Sequence, residues 1–339
     1  MIIKEALLQI TKGKDISKEE MSLVMLEILE GRATDAQIGG LLVALSIKGE
    51  SIDEVVGAAT VMRQLSEKVN VDFNNLVDTC GTGGCGIGIF NVSTTAAFVA
   101  SACGAKVAKH GNRSATRKSG SADLLEQAGV SLILSPDQVA QCITKTGVGF
   151  MFAPAHHGAM RHAAGPRKEM GIKTIFNILG PLTNPAGAPH QVMGVYDKKW
   201  LRPMAEVLKE LGSEHVLIVH SKDGLDEISI AEETYVAELI NGSIKEYIIH
   251  PEEFGFSREP LDGLLINSPQ ESLSLARDAL LGKNLAASSM VAMTAGAALY
   301  VSGISSSLDK GILIARESIE SGTGMKKLEE LASFSRSLI

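Results

Sequence analysis

The stretch "DTCGTGGCGIGIFNVSTTAAF", Asp78 to Phe98, decides how this chain is read. An apolar, strand-like run leads into it, a helix-like run leads out, and five of the eight positions from Gly81 to Gly88 are glycine. Strand, glycine loop and helix in that order make the opening unit of an α/β domain. Residues without side chains let backbone N–H groups crowd an anion, and a helix beginning near Asn91 to Ser93 points its positive end at the same place. A phosphate or pyrophosphate is the natural guest. A tight strand-to-helix turn that binds nothing is the plain alternative.

Gly81, Gly83 and Gly86 satisfy the dinucleotide spacing G-x-G-x-x-G, which alone is a weak signal. That reading also expects a ribose-binding carboxylate about 20 positions on, whereas no Asp or Glu follows Asp78 before Asp123. The Walker pattern fails as well, because no Gly-Lys-Ser/Thr closes the loop.

On the N-terminal side the first 70 residues read as a small helical bundle. Ser17 with Glu20 and Ser51 with Glu54 have capping-box spacing, and Ile38, Leu41, Leu42 and Leu45 recur on one helix face between Thr34 and Gly49. On the C-terminal side the short apolar runs "LVDTCG", "KVAKHG", "VGFMFAP", "HQVMGVY" and "HVLIVH" alternate with helix-length segments. This alternation predicts a mainly parallel sheet with crossover helices. Ser229 to Ile249 reads as paired strands with Asn241-Gly242 as the turn, and helices follow over roughly 271–281, 286–301, 307–321 and near the C-terminus.

The whole chain is consistent with this. Its 339 residues are 45% hydrophobic and 21% charged, enough for a substantial core. A net charge of -7 excludes a general attraction to nucleic acid or anionic membrane, so an anion site has to be local. The N-terminus lacks the pattern of a secretory signal, which leads us to expect a cytoplasmic protein. Cys80, Cys85, Cys103 and Cys142 are too scattered for a disulfide framework or a zinc pattern. The uncharged run Asn284 to Leu308 is rich in Ala, Ser and Gly and is expected to be a tightly packed buried helix, not a membrane span.

Three further clusters carry chemistry. "AKHGNRSATRKSGSAD" (Ala108 to Asp123) gathers Lys109, His110, Arg113, Arg117 and Lys118 among hydroxyls. With nothing to neutralise them, five cations on one loop of an acidic protein suggest a polyanion site. "SKDGLDEISI" places Asp226 and Glu227 after a glycine turn, hard carboxylates of the sort Mg²⁺ prefers when it also keeps waters and phosphates. In "FAPAHHGAMRHAAGPRKEMGIKTIFNILGPLTNP", His156, His157 and His162 lack helical zinc spacing, while Arg161, Arg167, Lys168 and Lys173 can face a small carboxylate ligand.

Taken in order, "GTGG", "NVST", "KHGNR", "KSGSAD", "DGLDE" and "GIKTIFNILGPLTNP" resemble the anthranilate phosphoribosyltransferases of tryptophan biosynthesis across nearly the whole chain. The resemblance implies a nucleoside phosphorylase/phosphoribosyltransferase-like fold. Its small all-helical domain covers 1–70, with a helical segment near 165–185 packed on it, and an α/β domain covers 71–339. It implies transfer of phosphoribose from phosphoribosyl pyrophosphate to the amine of anthranilate with Mg²⁺, and a homodimer joined through the helical parts. By motif, Gly81, Thr82, Gly83, Gly84, Asn91, Ser93, Thr94, Lys109 and Ser121 would hold phosphoribosyl pyrophosphate. Gly81, His110, Asn112 and Arg167 would bracket anthranilate, and Ser93, Asp226 and Glu227 would hold the metal. The aromatic amine is a neutral nucleophile, so no dedicated general base is nominated.

The family usually has Asp after "GTGG", where this chain has Cys85. A largely protonated thiol replaces neither the charge nor the hardness of a carboxylate. Arg117 and Gly158 are smaller departures. Two rival readings stay open at this point: a pyrimidine nucleoside phosphorylase, which shares the architecture, and a relative without catalysis that binds nucleic acid or phosphates.

Overall fold

The computed structural model describes residues 3–114 and 118–339. Its first quarter is helical, with α1 (Ile3–Ile10), α2 (Lys18–Leu29), α3 (Asp35–Lys48) and α4 (Ile52–Gln64). The expected caps set these boundaries. Glu20 N–H donates to Ser17 Oγ at 3.2 Å while Ser17 N–H donates to the Glu20 carboxylate at 2.7 Å, and Ser51 with Glu54 repeats the arrangement. Thr34 and Gln37 form a third box, and Gly49 ends α3 at φ 88°, a conformation that only glycine adopts without cost.

The remainder winds β1 (Leu76–Gly81), α5 (Val92–Ala102), β2 (Lys106–Gly111), α6 (Ser121–Gln127), α7 (Pro136–Thr146) and β3 (Val148–Phe152). Next come α8 (Ala153–His156), α9 (Arg161–Met170), α10 (Phe176–Leu179), β4 (His190–Gly194), α11 (Leu201–Glu210) and β5 (His215–Ser221). The hairpin β6 (Thr234–Ile240) and β7 (Ser243–Ile249) turns on Asn241 and Gly242 at φ 50° and 71°, as the "NG" signal demands. Four helices close the chain: α12 (Pro269–Leu280), α13 (Leu285–Val301), α14 (Leu308–Glu320) and α15 (Thr323–Arg336).

Among the described residues the strands form one seven-stranded sheet in the order β3-β2-β1-β4-β5-β6-β7. Pairings from β3 to β5 are parallel, and β6 and β7 are antiparallel. The α/β expectation with a mainly parallel sheet therefore holds. Strand side chains alternate between two cores. Val192, Leu217 and Val236 face the layer of α5, α7 and α12 to α15, whereas Met193, Ile218 and Ala237 face α11 and the helices of the first quarter. Ala163, Ile175 and Phe176, from α9 and the start of α10, pack into this second core.

Almost every residue of α13 is buried, as composition suggested. Among the described residues no single helix is long and apolar enough to cross a membrane; α12 and α13 reach that length only together, across a 76° bend.

The chain runs from β1 outward to β2 and β3, then returns to place β4 on the other side of β1. Such a reversal opens a crevice at the carboxyl ends of the strands. The glycine loop after β1 and the turn after β5 both lie at that edge, one on each side of β4.

Candidate active site

The glycine loop is held open by its neighbours. Gly88 O accepts from Ile266 N–H at 2.9 Å and Phe90 N–H donates to Leu264 O at 3.1 Å, which pins the C-terminal end. Thr82 N–H donates to Gly194 O at 2.9 Å, and Thr82 Oγ1 accepts from Tyr196 N–H at 3.0 Å, which pins the start. Between these anchors Gly83, Gly84 and Gly86 all have positive φ, at 65°, 78° and 81°. Alanine would be strained at each.

The turn after β5 meets this loop. Gly83 N–H donates to Asp226 Oδ2 at 2.9 Å, and Ser93 N–H, in the first turn of α5, donates to Glu227 Oε1 at 3.4 Å. Asp226 and Glu227 thus reach the glycine loop and the positive end of α5. Although it lies on a turn, Asp226 is only 3% exposed. The reason is β4, where Gly194 lets the Asp226 carbonyl approach so closely that a Cβ on Gly194 would lie 1.7 Å from it.

Lys109 and His110 belong to β2, beside β1. The Lys109 ammonium donates to Thr79 O. Burial pushes its pKa down, and the charge of Asp78 opposes that fall. Burial in turn pushes the Asp78 carboxyl up, against the attraction of Lys109 and hydrogen bonds from Asn184 Nδ2 at 2.7 Å and His110 N–H at 3.3 Å. Asn184 Nδ2 also donates to Ala108 O at 2.8 Å, tying "LTNP" to β2. Sequence reasoning singles out none of Asp78, Asn184 and Gly194. The only signals are a charge inside an apolar strand and the Asn-Pro dipeptide.

The five-cation loop is also corrected. Arg113 forks onto Glu126 at 2.7 and 2.8 Å and reaches Asp123 at 3.1 Å, so its charge is neutralised within the loop and α6. Burial, reinforced by His157, lowers the His110 pKa to about 3, which leaves a neutral ring at physiological pH. Arg117 lies outside the described residues. Of the other cations in that cluster, Lys109 is buried against Thr79 O and Asp78, and Lys118 is exposed.

Other candidates fall in place as follows. Asn91 precedes α5, but its side chain gives no cap; it joins Ser119 and Ser272, with Oδ1 accepting from each hydroxyl at 2.8 Å. Thr94 is buried in α5, and Ser121 Oγ donates to Asn112 O at 3.3 Å. Gly81 lies against Asp226, whose Oδ2 would be 3.0 Å from an added Cβ. Cys85 is half-buried, with Sγ 3.7 Å from Ile87 O.

A second group of side chains borders 176–180. Arg167, on α9, stands with its guanidinium 4.8 Å from the Phe176 ring centroid, and burial lowers its pKa. His110 faces the Gly180 carbonyl, and its ring centroid is 5.1 Å from that of His157. The Nε2 atoms of both rings are buried without a hydrogen-bond partner. Two buried ring nitrogens left unsatisfied among the described residues suit a small, flat, polar ligand. His156 is occupied by the Glu67 carbonyl at 2.9 Å.

The chain is similar to known proteins over nearly its whole length. Residues 4–66 match the glycosyl transferase family, helical bundle domain, and residues 73–325 match the glycosyl transferase family, a/b domain. The anthranilate phosphoribosyltransferase of Ectopseudomonas mendocina is 57% identical over 337 residues, covering 98% of this chain and 97% of the relative. That of Cellvibrio japonicus is 54% identical over the full length of both. The crystal structure of the Thermus thermophilus enzyme superposes with a TM-score of 0.92 at 43% identity, covering 98% of this chain and 99% of that one. The Saccharomyces cerevisiae enzyme, in complex with PRPP and Mg, gives 0.88 at 28% identity with the same coverage.

Proposed function

The chain belongs to the anthranilate phosphoribosyltransferases, and from that premise we propose how its residues divide the two substrates. The enzyme transfers the 5-phosphoribosyl group from phosphoribosyl pyrophosphate to the amine of anthranilate, releasing pyrophosphate, in tryptophan biosynthesis. The phosphorylase reading is not favoured. The observation that carries the assignment is the meeting of Asp226 with Gly83 N–H and of Glu227 with Ser93 N–H.

In this reading Gly81, Thr82, Gly83, Gly84, Asn91, Ser93, Thr94, Lys109 and Ser121 bind phosphoribosyl pyrophosphate. Breaking the bond from C1 of the ribose to the diphosphate gathers negative charge on the leaving group and positive charge on the sugar. Backbone N–H groups at the loop and α5, with Lys109, stabilise the former. Asp226, Glu227 and Ser93 would hold Mg²⁺, which when bound supplies positive charge to the diphosphate oxygens. The donor set fits that ion: two hard carboxylates on one turn, meeting the glycine loop and the first turn of α5.

Anthranilate is assigned to Gly81, His110, Asn112 and Arg167. Arg167 offers a fork to the carboxylate, and the neutral His110 ring is supported as a neighbour by its unpartnered Nε2. The amine attacks C1 as the diphosphate leaves, so placement of the two substrates does most of the work.

The same premise gives a division at 70/71 between a helical and an α/β domain, a cytoplasmic location, and a homodimer joined through the helical part. Exposed Leu8, Val43 and Ile47 on α1 and α3 support such an interface. Loss of anthranilate fluorescence on adding phosphoribosyl pyrophosphate and Mg²⁺ tests the function. No loss in that mixture, or phosphorolysis of thymidine instead, would reject it.

A further inference from the structure

Sequence groups Lys173 with the arginines of the acceptor segment, yet its ammonium lies at the glycine loop. It follows the end of α9 at Gly171, φ 61°, and precedes the turn in which Thr174 N–H donates to Asn177 Oδ1 at 2.9 Å. From that link the side chain extends over Gly84, so that a Cβ there would be 3.5 Å from Lys173 Cε and 3.9 Å from Nζ. Among the described residues, chain neighbours aside, no atom comes within 4 Å of the same position on Gly83 or Gly86. The ammonium rests 3.9 Å from the centroid of the Tyr196 ring, and Tyr196 N–H is the group that anchors Thr82. Among the described residues no carboxylate pairs with Lys173, although the chain is acidic overall.

An exposed ammonium on an aromatic face is weakly held. A polyanion on the loop's N–H groups would draw it away from the ring without having to break an ion pair.

Accepting the function proposed above, we propose that Lys173 is a second lysine of the diphosphate site. When phosphoribosyl pyrophosphate binds, the Lys173 ammonium moves from the Tyr196 ring to a diphosphate oxygen and fastens the segment carrying Arg167 across the glycine loop. Donor binding then prepares the acceptor pocket, and by thermodynamic reciprocity each substrate tightens the other.

The test is calorimetric titration of phosphoribosyl pyrophosphate, and separately of inorganic pyrophosphate, with Mg²⁺ into wild type, Lys173→Met and Lys173→Arg. Methionine keeps the stem and removes the charge. Lys173→Met should bind both ligands about tenfold more weakly, Lys173→Arg should recover most of the loss, and the unliganded thermal midpoint should not move. Anthranilate should bind wild type more tightly with pyrophosphate present, and the effect should shrink in Lys173→Met. Wild-type affinities in Lys173→Met, or a loss confined to anthranilate, overturn this assignment alone. A wild-type protein that binds no phosphoribosyl pyrophosphate overturns the proposed function and this inference together.

Discussion

Gly194→Ala tests whether the carboxylate turn is positioned by β4. A Cβ at this position would lie 1.7 Å from the Asp226 carbonyl oxygen and 2.5 Å from its carbon. Cβ contacts below 3.0 Å are essentially never seen, so the turn has to retreat by roughly 1.3 Å, a scale at which misplacement of a reacting group costs about a hundredfold in rate. The retreat also pulls Asp226 Oδ2 away from Gly83 N–H, a 2.9 Å bond, and loosens the start of the glycine loop. Overpacking at a strand end costs about 1 to 3 kcal/mol of stability, which should leave the protein folded at room temperature. Steady-state rates across a Mg²⁺ series, with thermal unfolding as the control, separate the two effects. We expect a folded variant with strongly depressed turnover and a higher Mg²⁺ requirement. A folded variant with wild-type turnover and an unchanged Mg²⁺ profile would refute the claim that close approach at Gly194 sets the metal ligands.

Asp226→Asn keeps an oxygen for Gly83 N–H but removes a charge, so turnover should fall by about tenfold or more, with partial recovery at high Mg²⁺; activity at limiting Mg²⁺ equal to wild type would reject Asp226 as a ligand. Arg167→Ala should raise the Michaelis constant for anthranilate much more than that for phosphoribosyl pyrophosphate, because one fork serves one carboxylate. Equal effects on both constants would place Arg167 elsewhere. His110 and His157 are lowered by burial to about 3 and about 4, so between these values and the ordinary 6.5 the unfolded chain binds more protons. Their contribution is therefore complete above about pH 6.5 and is lost as pH falls, at up to about 1.4 kcal/mol per pH unit for each ring. Urea unfolding at pH 7, 6 and 5 should show it, and His157→Asn should flatten the slope; a slope identical to wild type would contradict the assigned shift.

Local signals are legible in the sequence and long-range ones are not. Ser17 with Glu20, Ser51 with Glu54 and Asn241-Gly242 act within a few residues, so the helix starts and the hairpin can be read directly. The strands "LVDTCG" and "KVAKHG" coincide with β1 and β2, whose central residues are buried although Asp78, Lys109 and His110 stand among them. Pairing across the sheet cannot be read in the same way. Asp78 meets Asn184 across 106 residues and Lys109 across the β1–β2 pairing, and neither partner carries a local mark. Arg113 reads as a free cation in the sequence because Asp123 and Glu126 lie ten and thirteen residues on, and only the turn into α6 brings them back. The acidic pair at Asp226 is recognisable by its chemistry, whereas its burial depends on a glycine in another strand.

The central claim is that one cleft brings the diphosphate, Mg²⁺ and anthranilate together for a single phosphoribosyl transfer. The most direct measurement is mass spectrometry of the reaction mixture with a parallel pyrophosphate assay, using purified protein, phosphoribosyl pyrophosphate and anthranilate with and without Mg²⁺. One product is expected, anthranilate carrying a phosphoribosyl group on nitrogen, formed one for one with pyrophosphate and suppressed by removing the metal. Pyrophosphate released without the ribosylated amine, or no product while both substrates bind, would contradict it.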